Sequence, residues 1–457
     1  MRTVLIRKWG LSLLMSTMAG GAAGQHALEQ YVREGLSDNL VLQQRNVSLE
    51  RAEYALKSAR SLYLPSVNLQ AGYQTASGGR NIPLPIGDML NPVYTTLNQL
   101  TQTDQFPQIR NETINFLPKN YYDAHVRATM PLLNTELGHN KRIQQGQLRL
   151  SELELNTYKR ELVKEIKVAY YNYLSAVQAV DIYRSALDLA TEGRRTNQKL
   201  VDNGKGLPAY VLRSEGEVAA ASAQLTEALV KTENARLYFN CLLNRPQDAQ
   251  IDTAFDRRVA MSNAARLISL PPADGEEREE LQSLETVIGI QETTLKMNRQ
   301  FTIPKLSAFV DVGSQSEGFH FNNQTQYYLI GLQLDFPIFN GNRNKYKIQQ
   351  SRLDTEEARL RLRDTEQQLA LSASVAANRL RSAWDAYESA RTQLEAAAAY
   401  QRLISRGYQA GTNSYIETVD ARSQYTSARI AAVIRQYEVL SAAAAVEREQ
   451  ATYPLTQ

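Results

Sequence analysis

The chain contains two related copies of one sequence pattern, and this duplication limits the folds open to it. The stretches YYDAHVRATMPLLN, at residues 121–134, and YYLIGLQLDFPIFN, at residues 327–340, both begin with paired tyrosines and place a proline three residues before a closing asparagine. Upstream, YLPSVNLQAGY from Tyr63 corresponds to TIPKLSAFVDVG from Thr302. Each copy is therefore predicted to form a helix, two strands separated by a loop, a long helix, a turn and a second helix.

Four strands are predicted, at residues 66–74, 124–131, 306–312 and 328–336, because apolar and polar side chains alternate in each. Strands of about 9 to 11 residues suit a tilted transmembrane β-strand, and tyrosines at their ends suit an interfacial aromatic girdle. Alternation alone is equally compatible with an antiparallel sheet in a soluble domain. The loop predicted between the first two strands, at residues 75–120, is too long for an ordinary hairpin.

The helices show a coiled-coil repeat. Apolar residues in the first copy follow steps of four and three: Leu162, Ile166, Ala169, Tyr173, Ala176, Val180, Tyr183 and Leu187. The second copy repeats the spacing at Leu380, Trp384, Tyr387, Leu394 and Ala398. A continuous helix over residues 341–406 would extend about 100 Å. Such a helix must pair along its length, and residues 416–449, after the turn, are the predicted partner.

The N-terminal segment 1–24 is typical of an export signal, with Arg2, Arg7 and Lys8 before a short apolar stretch and small residues for cleavage. A membrane anchor is the alternative, but the apolar stretch is too short to cross about 30 Å of hydrocarbon. Beyond it, residues 25–245 are predicted to form the first repeat, 246–280 a connector and 281–457 the second repeat. No later segment of about twenty apolar residues occurs, so a membrane span would have to be β.

The composition does not indicate catalysis or nucleic-acid binding. The 51 Lys and Arg residues nearly balance the 48 Asp and Glu residues, so no basic surface for nucleic acid is expected. The four histidines lack metal-ligand spacing, and no nucleophile or phosphate-binding motif is present. The only cysteine, Cys241, lies in the apolar run LYFNCLLN and is predicted to be buried. We therefore expect no enzyme activity, no cofactor and no metal site.

Tandem strand pairs that lead into very long coiled helices resemble the TolC-like outer membrane efflux proteins. The motifs that carry the resemblance are LPSVNLQAGY, FPIFNGNRNK, LVDNGKGLPAYVLRSEGEVAAASAQL and GYQAGTNSYIETVDARSQYTSARI, which occur in the family's order. The resemblance implies a mainly α fold with a transmembrane β-barrel contribution. Each protomer would supply four strands to a trimeric 12-stranded barrel, continued by an antiparallel coiled-coil tunnel. Four strands alone would leave unpaired edges in lipid, so the β interpretation itself requires oligomerisation.

The resemblance also implies a location and partners. The expected location is the outer membrane of a Gram-negative bacterium, with a large periplasmic part. The expected partners are two further copies of the chain, a periplasmic adaptor protein, an inner membrane pump of the RND, ABC or MFS type, and outer membrane lipid. The implied function is a passive exit duct for small molecules or peptides in a tripartite efflux or secretion system. An exported coiled-coil scaffold protein of the cell envelope, without pore activity, is the alternative.

Specific residues follow from the resemblance by counting from the turn glycine of the second copy, Gly411. Glu417 and Asp420 would ring the pore constriction, and Tyr408 would donate a hydrogen bond across the entrance. The tips that contact the adaptor would contain Asn203, Gly204, Gly411, Thr412 and Asn413. Asn413 replaces a basic residue of well-known members, and Tyr210 replaces an acid, which argues against a salt bridge between those positions.

Two alternatives stay open for these residues. Glu417 and Asp420 lie three residues apart on a predicted helix, so they could form a solvated face instead of a pore ring. The turn glycine Gly411 could serve only to end a helix in the left-handed conformation.

Overall fold

The computed structural model describes residues 23–269 and 278–455. The predicted export signal at 1–24 lies outside these residues except for its last two positions. The chain forms two compact units. The helical unit contains the described parts of Met1–Glu53, Gly146–Gln291 and Asp354–Gln457, and the sheet unit contains Tyr54–Gln145 and Glu292–Leu353.

The helices are α1 (Ala23–Asp38), α2 (Leu40–Ser61), α3 (Ile86–Thr101), α4 (Thr135–Asp202), α5 (Pro208–Leu242), α6 (Arg257–Ser269), α7 (Glu279–Arg299), α8 (Arg343–Gln409) and α9 (Tyr415–Glu449). The strands are β1 (Ser66–Gln74), β2 (Asn81–Leu84), β3 (Glu112–Asn115), β4 (Tyr121–Leu133), β5 (Lys305–Glu317) and β6 (Gln326–Asp335). The long helices α4 and α8 contain 68 and 67 residues. The predicted long helix and its partner after the turn are thus confirmed.

The coiled-coil repeat of α4 lies in the core of the helical unit. Leu162, Ile166, Ala169 and Val180 are buried, and the other residues of the series are half-buried. Between them the core also contains an aromatic cluster of Tyr31, Tyr170 and Phe239, in which ring centroids lie 5.0 to 5.8 Å apart. Each fully buried side chain of this size contributes roughly 1.5–3 kcal/mol to folding. Tyr170 lies outside the predicted repeat.

An arginine fixes the C-terminal segment to the helical unit. Arg160 donates to both oxygens of Glu279 and, through Nη1, to the backbone carbonyls of Ala451 and Tyr453 at 2.7 and 2.9 Å. Glu279 is buried. Removing one partner of such a pair leaves an uncompensated buried charge, which costs about 3–5 kcal/mol. The segment after α9 is therefore held by charge rather than by secondary structure.

The segment predicted as a connector contains the helix α6. Close to it in sequence one prediction was wrong, since Cys241 is exposed rather than buried. Around Cys241, its neighbours Phe239, Asn240 and Leu243 are the buried residues. Cys241 therefore lies on the outward side of the last turn of α5, although the residues around it are apolar.

The sheet unit contains a four-stranded antiparallel sheet in the order β1-β4-β5-β6. All four predicted strands are confirmed: β1 has the predicted bounds, β4 and β5 are longer, and β6 begins two residues earlier. The register is regular except for a bulge between Pro131 and Leu133. Pro337, which lacks an amide donor and suits the point where strand pairing stops, lies two residues beyond the end of β6.

The segment predicted as a loop at residues 75–120 has secondary structure of its own. It contains a two-stranded sheet of β2 and β3 and the helix α3. Asparagine side chains connect α3 to the chain that follows it: Asn91 accepts from the backbone N–H of Ile109, and Asn98 from that of Phe106. These polar contacts replace an apolar core in a small subdomain.

None of the described helices is both long enough and apolar enough to span a membrane.

Candidate pore and docking residues

The two faces of the four-stranded sheet differ in chemistry. The register places Leu69, Val126, Val312 and Tyr328 side by side, and Val67, Ala128, Val310 and Ile330 form the next row. Both rows are apolar on all four strands and uncovered: Leu69 is 75% exposed and Ile330 69%. The row of Ala71, Ala124, Ser314 and Gln326, on the same face, is polar on β5 and β6. Rows on the opposite face include Gln70, His125 and Tyr327, or Asn68, Arg127 and Asp311. The sheet therefore presents an apolar surface on one side and a hydrogen-bonding surface on the other.

Both hairpin turns contain a glycine in the left-handed region. Gly204 follows α4 with φ +71°, and Gly411 follows α8 with φ +79°. A Cβ added at either glycine would meet no atom within 4 Å. The predicted tip residues beside them make local contacts: Asn203 Nδ2 donates to the Lys199 carbonyl at 2.6 Å, and Thr412 Oγ1 to the Gly407 carbonyl at 3.0 Å. Backbone conformation thus explains both glycines, while the space beyond them is open.

Glu417 and Asp420 both lie near the start of α9 and are exposed. Glu417 forms a capping box with Ser414, and its Oε2 also accepts from Asn413 Nδ2 at 2.6 Å. Asp420 Oδ2 accepts from Gln424 Nε2 at 2.7 Å. The contacts of both carboxylates are local, and their role in a pore ring stays a prediction.

Tyrosines connect the two hairpins close to their tips. Tyr408 donates to Oδ1 of Asn197, a buried residue of α4, at 3.2 Å. Tyr415, only 1% exposed, donates to Glu217 Oε2 on α5 at 3.2 Å, and its ring centroid lies 5.5 Å from that of Tyr210. Sequence reasoning singled out Tyr408 and Tyr210 but missed Tyr415, Asn197 and Glu217. A tyrosine next to a helix N-cap gives no periodic signal of burial.

Electrostatics at this tyrosine contact depend on burial. Desolvation raises the pKa of the Glu217 carboxyl, although the hydrogen bond from Tyr415 and the charges of Arg213 and Arg422 oppose that shift. Desolvation, together with the Glu217 charge, raises the pKa of Tyr415 to about 12. The folded hairpins thus favour the protonated form of Glu217 relative to the unfolded chain.

This shift predicts a pH dependence of the hairpin contact. Because the folded-state pKa of Glu217 is raised, its contribution to stability is complete below the unfolded pKa and is lost as the pH rises through the folded pKa. We expect wild-type hydrogen exchange in residues 190–222 and 405–425, corrected for intrinsic rates, to be slower at pH 4.5 than at pH 7.5. Glu217→Gln will exchange several-fold more slowly than wild type at pH 7.5 and lose most of the pH dependence.

The matched control for that experiment is Glu215→Gln, which removes an exposed carboxylate two residues away. Glu215→Gln will leave the hydrogen-exchange rates at pH 4.5 and at pH 7.5 unchanged. Equal exchange of wild type and Glu217→Gln at pH 7.5 would contradict the assigned direction of the shift.

Comparison with known proteins identifies the class to which this fold belongs. The family model described as outer membrane efflux protein matches residues 32–243 and 276–448, which are most of the chain. The chain therefore belongs to the outer membrane efflux protein family, a family of channel proteins, and this confirms the resemblance found in the sequence. Membership places the protein in the outer membrane of a Gram-negative bacterium, with a large periplasmic part, as expected.

Two curated relatives are similar over part of their length. The alkaline protease secretion protein AprF of Pseudomonas aeruginosa is 24% identical over 232 residues, which cover 48% of this chain and 47% of AprF. The cobalt-zinc-cadmium resistance protein CzcC of Cupriavidus metallidurans is 23% identical over 289 residues, which cover 62% of this chain and 65% of CzcC. The chain thus spans about half to two-thirds of the length of these relatives.

Solved structures are similar over nearly the whole chain. The CmeC outer membrane channel of Campylobacter jejuni superposes with a TM-score of 0.73 and 14% identity, covering 98% of this chain and 94% of CmeC. The open state of the MtrE outer membrane channel of Neisseria gonorrhoeae gives 0.72 and 16%, covering 93% and 88%. These matches confirm the predicted fold class of barrel strands joined to long coiled helices.

Proposed function

We propose that the protein is the exit duct of a tripartite efflux or secretion system, a passive conduit without catalytic activity. The observation that carries the proposal is the sheet: the central rows of one face are apolar on all four strands and uncovered, and most of the opposite face is polar. Such a sheet suits a wall between lipid and water. Among the described residues, β1 pairs only with β4 and β6 only with β5, which leaves the outer edge of each strand unpaired, so closure requires further copies of the chain.

Three copies are proposed because the family resemblance implies a trimer; two copies would give eight strands, whose interior side chains would largely fill the lumen. The wall of one protomer would consist of two repeats, at residues 25–245 and 281–457, joined by a connector at 246–280. The secretion and metal-resistance roles in the relatives' names support a duct whose cargo is set by its partners. Those proposed partners are a periplasmic adaptor and an inner membrane pump.

We assign the constriction to Glu417, Asp420 and Tyr408, and the adaptor contact to Asn203, Gly204, Gly411, Thr412 and Asn413. The exposure of both carboxylates and the open space beyond both turn glycines support this assignment. In a trimer, three copies of each carboxylate around one axis would attract cations.

Single-channel recording in a planar lipid bilayer tests the duct. The mature protein will form discrete, cation-selective channels, and Glu417→Ala combined with Asp420→Ala will lower the cation-to-anion permeability ratio roughly two- to fivefold, because fixed negative charge near a narrow pore concentrates cations. The reversal potential under a salt gradient gives that ratio.

Asp364→Ala is a matched control, since Asp364 is exposed on α8 and, like Asp420, accepts from a glutamine four residues later. Unchanged selectivity in the double variant would remove Glu417 and Asp420 from the constriction. Electrical silence of both the wild type and the double variant would favour the scaffold.

A further inference from the structure

Glycines on the polar face of the sheet leave room for large side chains from the neighbouring strand. A Cβ at Gly331 of β6 would lie 2.6 Å from Cζ of Phe309 on β5. A Cβ at Gly313 of β5 would collide with Cβ of His125 and the backbone carbonyl of Ala124. The Phe309 ring therefore lies in the space that a side chain at position 331 would occupy, whereas Gly313 lets the β4 and β5 backbones approach closely at His125.

Arg127 is held flat by two interactions. Its guanidinium group lies 5.0 Å from the centroid of the Phe309 ring. Its Nε and Nη2 donate to the two carboxylate oxygens of Asp311, each at 2.7 Å. The Asp311 side chain is 2% exposed, since the arginine covers it. Stacking and bidentate pairing together fix a long side chain along the wall.

His125 is held in the same way. Its Nδ1 lies 3.0 Å from Asp123 Oδ1 and its Nε2 lies 3.1 Å from Gln70 Oε1. Tyr327 donates to the same Asp123 oxygen at 2.9 Å. Contacts in this layer run from β1 through β4 and β5 to β6, so each large polar side chain is bound to its neighbours along the sheet.

We propose that Gly331 sets the bore of the duct's exit, because it keeps the Phe309 ring and the Arg127 side chain stacked on it folded onto the wall instead of projecting into the lumen. The inference rests on the proposed function, in which the polar face lines the lumen. An arginine side chain that stood away from the wall would narrow the lumen from every copy of the chain. The pore radius thus depends on a position that carries no side chain.

Gly331→Ala tests the inference, because the atoms that its Cβ meets belong to a side chain that can move. We expect the Phe309 ring to leave the wall and to take the stacked Arg127 with it. Channels in planar bilayers are probed with neutral polyethylene glycols of graded size, added only on the side of the loop ends. Such one-sided exclusion measures the exit separately from any constriction at the helix tips. In Gly331→Ala channels the largest polymer that enters will be at least one size step smaller than in the wild type, and the conductance will be lower by roughly 20–50%.

Two variants serve as controls. Gly72→Ala lies on the same polar face, but its Cβ would come no closer than 4.0 Å to Asp123 O, so this variant will match the wild type. Gly331→Ala combined with Phe309→Ala removes the displaced ring and will restore the wild-type exclusion size. Phe309→Ala alone will leave the exclusion size within one step, because a ring lying on the wall occupies little of the lumen.

The possible outcomes distinguish a failure of this inference from a failure of the proposed function. If the wild type conducts but Gly331→Ala excludes the same polymers, or if the double variant does not restore entry, Gly331 does not set the bore. If Gly331→Ala fails to assemble, a Phe309→Ala channel wider by more than one step would overturn the inference. If neither the wild type nor the variant with Glu417→Ala and Asp420→Ala forms a channel, the proposed duct is overturned and, with it, the inference.

Discussion

Ile330→Arg will prevent stable insertion of the protein into the outer membrane. Ile330 lies in the middle of β6, is 69% exposed and belongs to the apolar face of the sheet. An arginine near the bilayer midplane on the lipid side of a barrel costs about 2–4 kcal/mol. Each copy in an oligomer would contribute this cost, so we expect the amount of protein in outer membrane fractions to fall at least about tenfold.

Gln333→Arg is the control for this substitution, because Gln333 is exposed on the other face of the same strand. It adds the same charge to the same strand and will insert at wild-type levels. Outer membrane fractions from a sucrose gradient, quantified for both variants at equal expression, provide the comparison. Equal insertion of the two variants would mean that the apolar face does not contact lipid, as in the scaffold alternative.

Gly411→Trp will abolish transport while leaving the oligomer intact. Gly411 has φ +79°, and the space beyond its Cα is open. A tryptophan there would project from the hairpin tip into the space proposed for the adaptor. The left-handed conformation adds a local cost of roughly 1–2 kcal/mol, which is small for a hairpin between two long helices. We expect transport to fall at least about tenfold, since the proposed contact needs close approach of the backbone.

Transport is measured as the resistance restored to a strain that lacks the protein, against the compound to which that loss sensitises it. Chemical crosslinking of intact cells reports the oligomer and its contact with the adaptor. Gly411→Asn is the control, because asparagine tolerates the left-handed conformation and is small, and it will transport normally. Normal transport by Gly411→Trp would leave the glycine only its role of ending α8.

Local sequence patterns predicted most of the secondary structure. Alternation located all four strands of the sheet because each strand has one apolar and one polar face, and the steps of four and three located the α4 core. The pattern failed at Cys241, where the whole run is apolar and composition alone does not say which side of the helix faces outward. Residues 75–120 were different: Ile86, Leu90, Val93 and Leu97 follow helical steps of four and three in α3, but the Gly, Pro and Asn residues of the segment predicted a loop.

The tyrosine contact between the hairpins was beyond sequence reasoning for a different reason. Tyr415 and Glu217 are 198 residues apart in sequence. Their meeting depends on how two long hairpins pack, which no local pattern records. The contact between Arg127 and Asp311 on the polar face of the sheet was beyond sequence reasoning for the same reason, since these residues are 184 residues apart in sequence. Contacts of this kind follow from strand register and helix pairing.

The strand order also determines which junctions form within a chain and which between chains. Strands β4 and β5 come from different copies of the duplicated pattern, yet they pair inside one protomer. In a closed ring of three chains, half of the junctions between repeats would thus form as each chain folds. Only the pairing of β6 with β1 of a neighbouring copy would require two chains to associate. Substitutions at the β4–β5 junction should therefore lower the free energy of unfolding by the same amount at all protein concentrations. Substitutions at β1 or β6 should destabilise the oligomer most when the protein is dilute.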